Sequence, residues 1–154
     1  MRFRKYAKAQ VSRVLLIGIG VVGLAHAELG GNINTIDNDR ARLKAQTQAP
    51  VTASAAYTVY QMALPTQTVV RQYASANGTV FAVSWQGPFK PDLRQLLGPH
   101  FDTMVAHQSH VARGRFNLNQ ANLVIESGGH MRNFFGRAYL PADIPAGVTV
   151  QDIQ

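Results

Sequence analysis

The chain has 154 residues, 46% of them hydrophobic and 15% charged, with no Cys, a composition that fits one foldable domain and excludes a disordered polypeptide or a disulfide-held scaffold. The formal charge of +7 would ordinarily point to nucleic acid or an anionic membrane, but five of the fifteen basic residues lie in the first thirteen positions and no acidic residue precedes Glu28. Beyond residue 27, ten basic residues stand against eight acidic ones, a net charge of +2, so no nucleic-acid partner is expected.

Residues 1–27 have the three parts of a cleavable secretory signal. A basic stretch (Arg2, Arg4, Lys5, Lys8, Arg13) is followed by an apolar run of 11 residues, Val14 to Leu24, short of the ~20 that a membrane-spanning helix needs. The run ends in Ala25-His26-Ala27, whose small outer residues suit a signal peptidase. Cleavage before Glu28 is expected, leaving a periplasmic or secreted chain with no transmembrane segment. The same stretch holds a rival pattern, Gly18-Ile-Gly20-Val-Val-Gly23, which matches the GxGxxG dinucleotide fingerprint. In that reading Asn34 to Asp37 would be a second strand, ending in an acid for the ribose hydroxyls, 14 residues after Gly23. The basic leader, the Ala-His-Ala site and the lack of alternating βα units further on favour the signal.

Residues 28–56 read as a polar helix and a linker. Ile33, Ile36 and Leu43 with Asp37 to Lys44 suit a short helix capped by Thr35 or Asp37, and Gln46 to Ala56, with Pro50, reads as a linking arm. Residues 57–154 read as a single α+β domain. Tyr57 to Leu64 alternates with period two and stops at Pro65. Thr68 to Tyr73 and Thr79 to Trp85 flank Asn77-Gly78, a hairpin whose turn residues accept positive φ. Asp92 is placed to cap a helix carrying Leu93, Leu96 and Leu97. Gly98-Pro99 interrupts it, and a second helical piece with Phe101, Met104 and Val105 runs to about His110. Arg113 to Gln120 reads as a polar connection, Asn122 to Ser127 and Met131 to Leu140 as strands reversing at Gly128-Gly129, and Pro141 to Gln154 as a tail. The sum is about five antiparallel strands with one or two helices packed on one face.

Chemistry-bearing groups are few. His107 and His110 would share a helix face, a metal site would need a third ligand from afar, His130 or Glu126, and His107, His110 and His130 are the alternative set for a metal-assisted hydrolase. Without Cys or an acid at partner spacing, solvated histidines are the plainer reading, and no metal or cofactor is expected. Ser127-Gly128-Gly129-His130 lacks the strand-to-helix setting of a nucleophile elbow. Trp85 and Phe81 alternate on one strand face and read as core packed against a helix. Of the adjacent pair Phe134 and Phe135, one must point outward. An outward aromatic beside Arg132 or Arg137 would make a binding patch, with Trp85, His130, Arg132, Phe135 and Arg137 as its candidate residues and an envelope protein or glycan as its partner.

Several motifs in one order also carry a family resemblance: Val80-Phe81-Ala82-Val83-Ser84-Trp85-Gln86-Gly87-Pro88, Pro91-Asp92-Leu93, Leu96-Leu97-Gly98, Ser127-Gly128-Gly129-His130-Met131-Arg132 and Gly136-Arg137-Ala138-Tyr139-Leu140-Pro141. With Leu29-Gly30-Gly31 and Pro145-Ala146-Gly147-Val148 they span nearly all of the chain beyond residue 27. The sequence resembles the bacterial family known as domain of unknown function 2844. The resemblance implies an exported protein of Gram-negative bacteria and implies no activity. The expectation is therefore a non-enzymatic binding or accessory domain of the cell envelope, with the metal-assisted hydrolase and the cytoplasmic dinucleotide-binding protein as alternatives.

Overall fold

The computed structural model describes residues 28–47, 52–108 and 115–154. The expected signal peptide, the glycines at 18, 20 and 23, and His110 lie outside the described residues.

The described residues form an antiparallel sheet of six long strands, with a few helices. In chain order they are two short segments, β1 (Gln46–Thr47) and β2 (Thr52–Ala53), then β3 (Tyr57–Ala63), β4 (Val69–Ser75), β5 (Val80–Gly87), β6 (Arg115–Gln120), β7 (Leu123–His130) and β8 (Asn133–Tyr139). The helices are α1 (Ile36–Leu43), α2 (Leu93–Leu97) and α3 (His100–Gln108). Across the sheet the order is β1-β3-β4-β5-β8-β7-β6, with β2 also on β3. Two three-stranded meanders, β3-β4-β5 and β6-β7-β8, thus meet where β5 pairs with β8, Trp85 opposite Gly136.

Alternation along these strands makes two apolar faces, and each is covered. One carries Met62, Val70, Val83, Trp85, Phe116, Leu118, Leu123, Ile125 and Ala138, and packs against Leu96, Leu97 and Met104 of the helices. Leu29 joins this core, its N–H donating to the Leu96 carbonyl at 3.0 Å, so the chain beside Glu28 is built into the domain. The other face carries Val59, Tyr73, Phe81, Ala82, Val124 and Tyr139, covered by Ile144, Val148, Val150 and Ile153 of the C-terminal segment. Asp92 caps α2 as expected, its carboxylate accepting from the Gln95 N–H at 3.2 Å. Gly98, at φ 53, ends that helix, and Arg94 links it to α3 by stacking over Phe101 and pairing with Asp102 at 3.5 Å. Among the described residues no helix is long and apolar enough to cross a membrane.

Several expectations are corrected. The polar connection at Arg113 to Gln120 contains a strand, β6, because Phe116 and Leu118 alone face the core while Arg115, Asn117 and Asn119 are exposed. With it the sheet has six long strands rather than five. The linker contains β1 and β2, which edge β3. Asn34 to Asp37 is helical rather than a strand, and Asp37 is exposed, 3.4 Å from Arg40. Phe81 and Trp85 do not share a face: the β4–β5 register shifts at Tyr73/Ala74, so that Tyr73 pairs with Ala82 and Ala74 with Val80. Phe81 is the extra residue of a bulge, which turns it away from the helices. Finally, β7 runs straight through Gly128-Gly129. The reversal is the two-residue turn Met131-Arg132, at φ 49 and 65, the geometry of a type I′ hairpin.

Candidate functional site

The face opposite the helices carries the side chains of chemical interest. Arg71 and Tyr73 come from β4, Ser84 and Gln86 from β5, Phe135 and Arg137 from β8, and Glu126 from β7. Period-two geometry sets them side by side, since Gln86 pairs with Phe135 and Glu126 with Arg137.

Arg137 organises the site. Its Nε donates to Glu126 Oε2 at 2.7 Å, and its Nη1 donates to the main-chain oxygens of Val150 at 2.8 Å and Ile153 at 3.3 Å. The segment so held forms a 3-10 turn, Val150–Asp152, stabilised where the Asp152 carboxylate accepts from both the N–H and the hydroxyl of Thr149 at 2.8 Å. Those hydrogen bonds hold the Asp152 carboxyl below its ordinary pKa, the backbone bond contributing most. Ile153 is buried beneath the turn. Beyond it, Tyr73 Oη and Ser84 Oγ donate to the Gln154 main-chain oxygen at 2.6 and 2.7 Å, and Arg71 Nη1 adds a third bond at 3.2 Å. Tyr139, on the same face, has its pKa raised by burial and secondarily by Glu126, against a smaller lowering by Arg137.

Between this segment and the sheet lies a cleft of about 410 Å³, lined by Gln86, Glu126, Phe135, Arg137, Ile153 and Gln154. Phe135 is 46% exposed. Its ring reaches over Gly128, opposite, which has no side chain: a Cβ there would stand 3.1 Å from ring atom Cζ. The arrangement offers an aromatic face, a carboxylate–guanidinium pair and a primary amide side by side. Such groups hold a ligand by stacking and hydrogen bonds.

The sequence-derived candidates divide accordingly. Phe135 and Arg137 are brought together in the cleft. Trp85 also borders the cleft, between Gln86 and Gly136, but at 1% exposure its side chain is buried in the core on the helix side; its indole Nε1 has no hydrogen-bond partner among the described residues. His130 ends β7 and is exposed, and Arg132 sits in the following turn with its guanidinium 5.3 Å from the Phe89 ring centre. Ser127 faces the helices and His130 the opposite side, about 10 Å further along the strand, so they make no nucleophile and base.

The histidines of the metal alternative are likewise separated. His107 Nδ1 lies 2.9 Å from the Thr103 carbonyl and donates to it, which leaves Nε2 to accept from Gln120 at 3.3 Å. Gln120 borders the β6–β7 turn, whereas His130 lies at the other end of β7, about 23 Å away. Among the described residues no three His, Asp or Glu side chains are placed to hold a metal ion. His100 is half-buried near Glu28, and burial lowers its pKa against a smaller raising by that carboxylate.

Sequence reasoning missed Gln86, Arg71, Tyr73 and Ser84, weighed Glu126 only as a distant metal ligand, and missed the C-terminal segment as a wall of the site. The signal was present for one pair: Glu126 and Arg137 occupy outward positions of strands that a hairpin joins.

A family model described as Protein of unknown function (DUF2844) matches residues 25–153. The comparisons with curated proteins and with solved structures found no match. The match takes in both meanders, the helices and every residue of the cleft up to Ile153, and the chain belongs to this family, Protein of unknown function (DUF2844).

Proposed function

We propose that the chain is an exported, non-enzymatic binding or accessory domain of the bacterial cell envelope, and that the Phe135–Arg137 cleft holds its partner, an envelope protein or glycan. The observation that carries the binding role is the convergence of an exposed aromatic ring, an ion pair and an amide in one cleft. Such a surface recognises a ligand with both apolar and hydrogen-bonding faces. Export is supported by the basic, apolar and small-residue order of residues 1–27, and by a family match that begins at residue 25, where that order ends. The α+β character of the domain belongs to the same reading, with helices covering one side of the sheet and the C-terminal segment covering the other except at the cleft, which is left for the partner.

Two measurements test this. The intact mass of the protein recovered from fractionated native cells should correspond to a chain starting at Glu28, outside the cytosol; an uncut cytosolic chain refutes export. Immobilised protein should capture its partner from envelope extracts, and Phe135→Ala should abolish that capture while Val105→Ala, on exposed helix surface, leaves it intact. Equal capture by both variants removes the cleft from the reading.

A further inference from the structure

We propose that the tip of the β7–β8 hairpin, with the β5–α2 loop beside it, is a shallow insertion surface for a bilayer bearing anionic headgroups. Large exposed apolar side chains among the described residues are Phe89, Val105, Met131 and Phe135. All but Val105 belong to this end of the sheet. Met131 forms the apex and is 90% exposed. Phe89 stands beside it under the Arg132 guanidinium, and the Lys90 ammonium lies 5.7 Å from the Phe134 ring centre. Neither cation forms an ion pair among the described residues. The carboxylates on the adjoining elements are engaged elsewhere, Asp92 in capping α2 and Glu126 with Arg137. The tip is therefore apolar at its point and cationic around it.

The backbone supplies an independent observation. Met131 and Arg132 both have left-handed φ, 49 and 65, in a turn that favours Asn and Gly at these positions. Turn chemistry does not account for a methionine there, and neither does packing, since the side chain meets solvent. The methionine is thus explained neither by turn chemistry nor by core packing, and its side chain is presented to whatever meets the tip.

A bilayer interface fits the shape. The apex is convex, where a protein partner would have to offer a matching hollow; lipid closes around a wedge of any outline, and lysine and arginine stems reach the headgroups while methionine and phenylalanine sink below them. The platform is also rigid. Thr68 is fully buried and its hydroxyl donates to the Phe89 carbonyl at 2.7 Å, and a Cβ at Gly87 would approach Thr68 Cα to 2.5 Å. Little ordering is needed on docking, and with Phe135 assigned to the cleft the tip still stands on Met131 and Phe89 with Lys90 and Arg132 beside them.

The absence of Cys makes a site-specific test direct. Met131→Cys, labelled with an environment-sensitive fluorophore, is mixed with vesicles of phosphatidylcholine containing phosphatidylglycerol and with phosphatidylcholine alone. The basic, apolar segment 1–27 would itself attach to anionic vesicles, so every variant is carried on the same form of the chain and the label reports the tip alone. The expected result is a blue shift with the anionic vesicles only. In co-sedimentation, Met131→Asn should partition about tenfold more weakly, and Lys90→Gln and Arg132→Gln about fivefold each. Because Asn suits the left-handed turn, Met131→Asn should unfold at the parent temperature or above, which separates lost insertion from lost folding. An unshifted label, equal response to neutral vesicles, or unchanged partition of Met131→Asn overturns the proposal. So does a label that responds to a soluble protein and not to vesicles, which would make the tip a protein-docking site.

Discussion

Gly136→Ala is the most informative single substitution for the fold. Gly136 lies at the middle of β8, opposite Trp85 across the seam between the meanders. A Cβ at this position would stand 2.6 Å from Trp85 Cε2, closer still to Cζ2, and 2.7 Å from the Glu126 main-chain oxygen. Neither neighbour is the loose end of a flexible chain: the indole is 1% exposed and the carbonyl belongs to the sheet. Overpacking of a close-packed interior costs about 1–3 kcal/mol, and clashes on two sides place this one near 3 kcal/mol. For a domain of this size that is a fall in Tm of roughly 10 °C. Trp85 is the only tryptophan, so its fluorescence follows unfolding without a label. In a Trp85→Leu background the same change should cost about 1–2 kcal/mol, since only the carbonyl clash remains. Gly147→Ala is the control. Its φ is 83 but nothing lies within 4 Å, so only backbone strain of about 1 kcal/mol is expected. A loss no larger for Gly136→Ala than for Gly147→Ala would refute the steric reasoning.

Three other outcomes follow from the geometry. Arg137→Met should release the C-terminal segment: amide exchange across Val148 to Gln154 accelerates while the strands stay protected, and because Arg137 and Glu126 are 29% and 40% exposed, water screens the pair and the global loss is held to roughly 1–2 kcal/mol. For His100, the folded state binds its proton less readily than the unfolded chain does. Stability from this group is therefore complete above the ordinary value of 6.5 and declines as pH falls below it. Urea midpoints measured across that range should fall with acidity in the parent and flatten in His100→Gln; parallel curves would show that another group is responsible. Asp92→Ala should cost about 1 kcal/mol in urea unfolding by leaving the first turn of α2 uncapped.

What was legible in the sequence was local. Asn77-Gly78, the Asp92 cap and the stop at Gly98 are short-range signals, and each stands where the pattern placed it. β6 was hidden because an edge strand with one solvated face needs only two apolar residues, and Phe116 and Leu118 sit among Asn and Gln. The hairpin at Met131-Arg132 was hidden by Gly128-Gly129. Glycine pairs usually mark a reversal, but here Gly128 seats the Phe135 ring and Gly129 makes room for Phe134, whose Cα would lie 2.6 Å from a Cβ. Phe135 and Arg137 were found by alternation alone. Their companions Arg71, Tyr73 and Ser84 were not, because they are gathered by a C-terminal segment whose course across the sheet no period in its own sequence announces.

The seam between the meanders also bears on how the chain folds. Within each meander every strand pairs with its sequence neighbour, and hairpins of that kind close in microseconds. β5 must wait for β8, about 50 positions further along the chain. On a chain emerging from the N-terminal end, the first meander is complete while Trp85 and Val83 still lack Ala138 and Gly136, and the ladder groups along the outer side of β5 are unpaired. The half-made protein therefore presents an open, apolar β-edge at what will become its centre. Crowding or a slowed β8 should turn that edge toward other copies, and aggregation during synthesis, more than loss of the finished fold, is where lesions at the seam would first be felt.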